Sequence, residues 1–173
     1  LVPNRSYTIQ ELIDNMIIES DNNSLNLLYK NLDPDTLDDI YKYIGVETLK
    51  NDPAKDTMSA KTFSLFFRIL YNASYLYKTS SNAALELLTK TNYKNGLAAG
   101  IPANIEIAHK FGERELGTTG GDLIERQLHD CGIIYDRDNP YLLCVMTRGK
   151  NFDNLASTIA DISRVVYNYH TEK

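Results

Sequence analysis

The sequence predicts an α+β fold in which a helical N-terminal region precedes an antiparallel sheet, and the last helix packs on that sheet. Two observations carry this prediction. Apolar residues recur at helical spacing over residues 8–91 and again over 152–170, whereas short continuous apolar runs lie between those regions. Three short strands beside so many helices form a thin sheet, so we expect the sheet to be incomplete in this chain.

The first helix is predicted over 8–20. Thr8 and Glu11 have the spacing of a capping box, in which each residue satisfies a free N–H group of the other. Apolar residues then follow at one helical face: Ile9, Leu12, Ile13, Met16 and Ile17. The polar corner at 20–23 ends this helix, and a second short helix is expected to end near Leu32.

Three further helices are predicted before the sheet. Asp33-Pro34 is a cap followed by a first-turn proline, and Gly45 is a typical stop, which places the third helix at 34–44. Residues 46–57 lack periodicity and are predicted to form a surface loop. A strongly apolar helix starts after Ser59, and the Thr79-Ser80-Ser81 cluster is expected to start a helix at about 81–91.

Three strands are predicted next, at "ANIEIAHKFG", "CGIIY" and "YLLCVM". The turn signal "DRDNP" makes the last two a hairpin, and "ERELGTTGGDLIERQ" is interpreted as an insertion after the first strand. A helix at 152–170 closes the chain with a single apolar stripe. The whole of residues 1–173 is treated as one domain.

Composition excludes several classes of protein. A net charge of −5 without a cluster of Lys and Arg argues against a nucleic-acid partner. No apolar run approaches the roughly 20 residues of a membrane-spanning helix. His109 and His129 have no third ligand at suitable spacing, so a metal site is not expected. Cys131 and Cys144 are expected to be buried free thiols, although a hairpin centred on Arg137-Asp138 would bring them together and allow a bridge.

Two short motifs point to chemistry. Ser20-Asp21-Asn22 lies in the helix–helix corner, and Lys110-x-Gly112 ends the first strand. The tripeptide alone is explained by helix capping. Together with five longer segments, however, the motifs make the chain resemble the penicillin-recognising serine hydrolases over nearly all of residues 6–170. These segments are "YTIQELIDNMIIESDNNSLNLL", "DTMSAKTFSLFFRIL", "NGLAAGIPANIEIAHKFGE", "LHDCGIIY" and "YLLCVMTRG". This family joins the class A β-lactamases with the D-alanyl-D-alanine peptidases, and its signatures are S-x-x-K, S-D-N and K-T-G.

The resemblance implies a role for each matching residue. Ser20 would carry a proton toward the leaving nitrogen, and Lys110 would supply positive charge beside that hydroxyl and the substrate carboxylate. Asp21 would hold the shape of the corner, and Asn22 would offer its amide to the acylamide of the substrate. On the strand, the residues that would contact substrate are Phe111, Gly112 and Glu113, whose backbone N–H would be one oxyanion-hole donor.

The chain departs from the family pattern in three ways. Phe111 stands where the family has threonine or serine, so a hydroxyl that would bind the substrate carboxylate is absent. Residues 46–57 contain no E-x-x-L-N, so the glutamate that activates the deacylating water has no match. No Ser-x-x-Lys occurs anywhere, and Thr91-x-x-Lys94 and Thr147-x-x-Lys150 have the spacing with another hydroxyl.

These observations predict the C-terminal part of a longer serine hydrolase, in which an upstream segment supplies the nucleophile and the remaining strands. The expected reaction is acyl transfer on a β-lactam or a D-alanyl peptide, through an acyl-enzyme and without a cofactor, and this chain alone is not expected to catalyse it. The partners are then a small molecule or peptidoglycan peptide and the missing segment, outside the cytoplasm as the resemblance implies. The alternative is a non-catalytic module that binds cell-wall peptides or a protein partner.

Overall fold

A computed structural model describes residues 1–46, 58–118, 120–137 and 139–172. Five helices come first: α1 Ile9–Ile18, α2 Asn22–Lys30, α3 Pro34–Ile44, α4 Ala60–Asn72 and α5 Lys78–Thr89. A short 3₁₀ turn, Leu97–Gly100, leads into β1 Glu106–Gly117, β2 Leu123–Tyr135 and β3 Tyr141–Gly149, and the helix α6 Phe152–Thr171 follows. The predicted α+β class is confirmed. Most of the predicted loop, residues 47–57, lies outside the described residues.

The helix starts follow the side-chain caps. Thr8 and Glu11 form the predicted capping box of α1, and Ser59 Oγ accepts the N–H of Thr62 at the start of α4. The predicted start of the fifth helix is wrong by three residues. Tyr77 precedes α5 without a side-chain hydrogen bond, so no capping residue marks the boundary, and the polar cluster lies inside the first turns.

The sheet has the order β1-β2-β3, and both neighbouring pairs are antiparallel. The predicted insertion after the first strand is wrong. Its residues extend β1 to Gly117 and start β2 at Leu123, so the two strands form one long hairpin. This arm is mostly exposed and carries consecutive charged residues, such as Glu113, Arg114 and Glu115, so it lacks the continuous apolar signal of a buried strand.

The two faces of the sheet bury two separate cores. One face packs on α6 and the 3₁₀ turn through the buried residues Leu97, Ile107, Leu128, Ile134, Val145, Leu155 and Ile159. The opposite face packs on α4 and α5 through Phe67, Leu85, Leu88, Ala108, Cys131 and Ile133. Strand alternation assigns every side chain of the sheet to one face or the other.

A disulfide joins β2 to β3. Cys131 pairs with Cys144 in the ladder, with their Cα atoms 4.0 Å apart, and the two sulfur atoms are bonded. The expectation of free thiols is therefore wrong. The alternative, in which the hairpin brings the two cysteines together and allows a bridge, is the arrangement found in the structure.

Candidate active site

The corner between α1 and α2 turns on a single strained residue. Ser20 has φ of 55°, a left-handed backbone conformation that costs a non-glycine residue about 1–2 kcal/mol. Asp21 then caps α2: one carboxylate oxygen accepts the N–H of Asn23 at 2.9 Å, and the other accepts the hydroxyl of Ser24 at 2.8 Å. The Ser24 hydroxyl and the Asn23 N–H lower the pKa of Asp21. Asp21 therefore fixes the corner, and the Ser20 hydroxyl is left to face the cleft.

Ser20 and Lys110 meet in that cleft although they are 90 residues apart in sequence. Lys110 Nζ donates a hydrogen bond to Ser20 Oγ. The same ammonium lies 5.0 Å from the ring centroid of Phe111, a distance at which a cation is attracted to the aromatic face. Burial lowers the pKa of Lys110, and the charge of Asp130 acts in the opposite direction. The lysine is thus partly desolvated and is a better proton donor than a lysine in water.

Phe111 is held by an aromatic stack. Its ring lies 4.1 Å from that of Tyr93, centroid to centroid, with an interplanar angle of 18°. Burial, with the charges of Asp130 and Glu113, raises the pKa of Tyr93 to about 12, so its phenol stays neutral. The position where the family has a hydroxyl is therefore occupied by a packed apolar ring.

The backbone of β1 presents polar groups to the cleft because β1 is an edge strand. The Cα atoms of Cys131 and Cys144 are close, which is typical of an antiparallel pair that exchanges no backbone hydrogen bonds. The backbone N–H and C=O of Cys131 therefore point to the other side, toward its partner on β1, Lys110. The alternation of the ladder then directs the backbone groups of Phe111 and Glu113 outward. Lys110 Nζ lies 3.5 Å from the Phe111 carbonyl oxygen, which agrees with an outward carbonyl at that residue. The outward N–H of Glu113 is available to an oxyanion.

Gly112 leaves space at the same edge. A Cβ added there would meet no atom of the described residues within 4 Å. The opening is therefore free for a ligand that lies against the strand.

Two cavities flank this edge. One, of about 550 Å³, lies between β1 and the helices; Ser20, Asp21 and Asn22 line its polar end, and its apolar wall includes Ile17, Phe66, Phe67, Leu70 and Leu88. The other, of about 710 Å³, lies over the sheet, and Lys110, Phe111, Gly112 and Glu113 line both. All seven residues from the corner and the strand that the resemblance singled out thus line the 550 Å³ cavity, and the four from the strand also line the larger one.

His109 and His129 lie on opposite faces of the sheet, so they do not face each other. His129 pairs with Gly112 and lines the larger cavity. Burial lowers its pKa, and its buried Nδ1 has no hydrogen-bond partner among the described residues. His109 is fully buried on the α6 side, where its Nδ1 lies 2.9 Å from a carboxylate oxygen of Asp130. No group of three potential metal ligands occurs among the described residues.

Sequence analysis missed the anchor beneath Lys110. Asp130, which is also fully buried, accepts the N–H of Leu97 at 2.9 Å and thereby ties β2 to the 3₁₀ turn as well as to β1. Because His109 precedes Lys110 in the strand, this pair holds β1 in place just before the cleft. The only signal in the sequence was a charged residue inside the apolar run of a strand, which demands a buried partner.

The two threonines with Ser-x-x-Lys-like spacing do not replace the nucleophile. Thr91 is fully buried, and its hydroxyl lies 3.4 Å from the carbonyl oxygen of Ile18. Thr147 donates its hydroxyl to the carbonyl oxygen of Leu128 at 2.7 Å. The cleft therefore brings together the hydroxyl of Ser20, the ammonium of Lys110 and the edge of β1, while the sequence contains no Ser-x-x-Lys.

Comparison with known proteins identifies related folds. The sequence pattern described as the Beta-lactamase enzyme family matches residues 1–170. The structure of PBP-A superimposes with a TM-score of 0.80 at 22% identity, over 100% of this chain and 65% of that chain. A class A beta-lactamase from Bacteroides cellulosilyticus DSM 14838 gives 0.81 at 19% identity, over 99% of this chain and 67% of that one. A class A beta-lactamase from Mycobacterium abscessus gives 0.76 at 20% identity, over 97% and 67%.

No curated protein matches by sequence. The chain spans 65% of the length of the PBP-A structure. Within the described residues, no helix has the length and apolarity to cross a membrane.

Proposed function

Because this chain belongs to the beta-lactamase enzyme family, we propose that it forms the substrate cleft of a serine hydrolase that acts by acyl transfer on β-lactams or D-alanyl peptides. The observation that carries this proposal is the hydrogen bond from Lys110 Nζ to Ser20 Oγ. One of the similar structures, a second one of PBP-A, is an acyl-enzyme complex with penicillin G.

The chemistry divides between an upstream serine and this cleft. The serine oxygen bonds to the carbonyl carbon, the bond from that carbon to nitrogen breaks, and the nitrogen leaves with a proton from Ser20 Oγ. Lys110 then gives a proton to Ser20. The proton that the nucleophilic serine releases restores the charge of Lys110. The lowered pKa of Lys110 favours this transfer. The outward N–H of Glu113 stabilises the negative charge on the carbonyl oxygen.

Substrate orientation is assigned to the remaining residues. Asn22, at the first turn of α2, is exposed beside Ser20 and directs its amide to the acylamide of the substrate. Phe111 offers no hydroxyl to a substrate carboxylate, so Lys110 is left as the cation for that group. Since residues 46–57 contain no E-x-x-L-N, hydrolysis of the acyl-enzyme is slow, and the reaction is closer to that of a peptidase or an acylated penicillin-binding protein.

The nucleophile comes from a segment upstream of residue 1 in this proposal. The apolar wall of the 550 Å³ cavity suits the apolar face of a helix, and this chain covers 65% of the similar PBP-A structure, which leaves about a third of that structure unmatched. The protein then works outside the cytoplasm. The disulfide between Cys131 and Cys144 supports an oxidising compartment.

Labelling with a fluorescent penicillin tests the proposal. The full-length product of the parent gene, with its upstream segment, is expected to form one covalent band that resists denaturing electrophoresis. Lys110→Ala and Ser20→Ala should slow labelling about 100-fold or more, the usual effect of a lost acid–base group. Lys78→Ala, at the start of α5 and remote from the cleft, is the control.

A non-catalytic module is the second candidate, and the stack of Phe111 on Tyr93 favours it because a packed ring fills the place of a substrate-binding hydroxyl. The labelling experiment separates the two. If an S-x-x-K segment is present upstream and no covalent band forms, while cell-wall peptides still bind the cleft, the binding module replaces the enzyme. If the parent gene encodes no S-x-x-K segment, the enzyme proposal is wrong.

A further inference from the structure

Two arginines on the floor of the larger cavity have no role in the chemistry described so far. The register places Arg114 opposite Gln127 and Gln127 opposite Arg148, so these three side chains form one row across the sheet. The row lies on the same face as Lys110 and His129, and all three of its residues line the 710 Å³ cavity. Among the described residues, neither arginine has a hydrogen bond or an ion pair.

The lining of this cavity is positively charged. Among the described residues of its lining, the cations are Lys110, Arg114 and Arg148, and the one carboxylate is that of Glu113. A further acid on this face, Glu125, accepts a hydrogen bond from Gln127 at 2.9 Å and lies outside the lining. The two guanidinium groups therefore face open space with an excess of positive charge, which attracts an anion.

The direction of the substrate places this row on the acyl side of the scissile bond. The leaving nitrogen lies toward Ser20 and Lys110, and the carbonyl oxygen lies at the N–H of Glu113. The acyl substituent extends from the carbonyl carbon in the direction opposite to the nitrogen, along β1 toward Arg114. Arg114 lies two positions beyond Gly112 along the strand, a span of about 7 Å. An acyl substituent of five or six bonds covers that distance.

We propose that this cleft selects substrates whose acyl side carries a carboxylate, which Arg114 and Arg148 bind. The substrate class is a D-alanyl peptide or β-lactam with an anionic acyl substituent. Arginine suits this role because its planar guanidinium donates two parallel hydrogen bonds to one carboxylate. The direction in which the substrate lies is taken from the proposed function. The new element is that the acyl group carries a negative charge.

Two peptides that differ only in charge test the inference. N-succinyl-D-alanyl-D-alanine ends in a carboxylate on the acyl side, and N-succinamoyl-D-alanyl-D-alanine ends in a neutral amide of the same shape. Their affinities are measured by calorimetry or NMR titration on the full-length protein, with the upstream nucleophilic serine replaced by alanine so that neither peptide is turned over. The succinyl peptide is expected to bind about fivefold tighter at low salt, the size of effect that two exposed ion pairs supply, and the preference should vanish in 0.5 M salt.

Variants assign the preference to the row. Arg114→Gln combined with Arg148→Gln should make the two peptides bind equally, with the affinity of the neutral peptide unchanged. Arg68→Gln combined with Arg164→Gln removes the same charge from the outer faces of α4 and α6 and should keep the preference.

Equal affinities in the unmodified chain would overturn the inference. So would a preference that survives in the Arg114 and Arg148 variant, or the failure of both peptides to bind at millimolar concentration. The outcome is independent of penicillin labelling: a charge preference without a covalent band refutes acyl transfer alone, and a covalent band without a charge preference refutes the anionic subsite alone.

Discussion

Replacing Asp130 by alanine should be one of the most destabilising single changes in the sheet. The carboxylate is fully buried and accepts from the N–H of Leu97 and from Nδ1 of His109, each at 2.9 Å. The alanine variant leaves both donors buried without acceptors, and each costs about 1–3 kcal/mol. The two losses together come to about 2–6 kcal/mol. That is a large share of the roughly 5–15 kcal/mol that holds a domain folded.

Urea unfolding followed by circular dichroism measures the effect. The midpoint should fall at unchanged slope if the native state stays compact. Asp130→Asn keeps the volume and one acceptor oxygen, so about half of the loss is expected. Asp161→Ala removes an exposed carboxylate that pairs with Arg164 on α6, and it should change the unfolding free energy by less than about 1 kcal/mol.

A free energy of unfolding for Asp130→Ala within about 1 kcal/mol of the unmodified protein would refute the reasoning. The buried pair would then be replaced by water at little cost, and β1 would not depend on it for its position. A double-mutant cycle with His109→Ala tests the same point, because paired residues should show a coupling energy of about 0.5–3 kcal/mol.

Three further changes test other parts of the structure. Burial lowers the pKa of His129 below 6.5, so the unfolded chain binds the proton more readily than the folded one, and the free energy of unfolding should fall as the pH drops below 6.5. Urea titrations at several pH values should show this dependence, and His129→Gln should remove it. Reducing the bond between Cys131 and Cys144, which are separated by 13 residues in sequence, should lower the unfolding free energy by about 3 kcal/mol, and a variant with both replaced by alanine should not respond to the reductant. Gly100→Ala places a Cβ against the backbone of α6 and should lower the thermal midpoint by several degrees, whereas Gly112→Ala meets no protein atom and should leave it unchanged.

Local signals predicted the parts of the fold that local chemistry determines. The bounds of α3 agree with the prediction from Asp33, Pro34 and Gly45, because a cap, a first-turn proline and a left-handed glycine each act within a few residues. The start of α5 carries no such signal at Tyr77, and the prediction was late by three residues. The hairpin arm beyond Gly112 was missed because its solvent-exposed end shows no apolar face from which a strand could be inferred.

Contacts across the sheet were the hardest to predict. The pair of His109 and Asp130 depends on the register of β1 and β2, and residues 21 positions apart give no periodic signal. The row of Arg114 and Arg148 likewise exists only once three strands are aligned. The meeting of Ser20 with Lys110 is different, since the family motifs pointed to both residues before any register was known.

Peptide mapping of the penicillin adduct tests the central claim most directly. The full-length protein is treated with penicillin, and the modified residue is located by mass spectrometry. The account predicts a single adduct on a serine of an upstream S-x-x-K segment, formed much more slowly in Lys110→Ala, with Ser20 unmodified. An adduct on Ser20, or a rate of acylation that Lys110→Ala leaves unchanged, would contradict it.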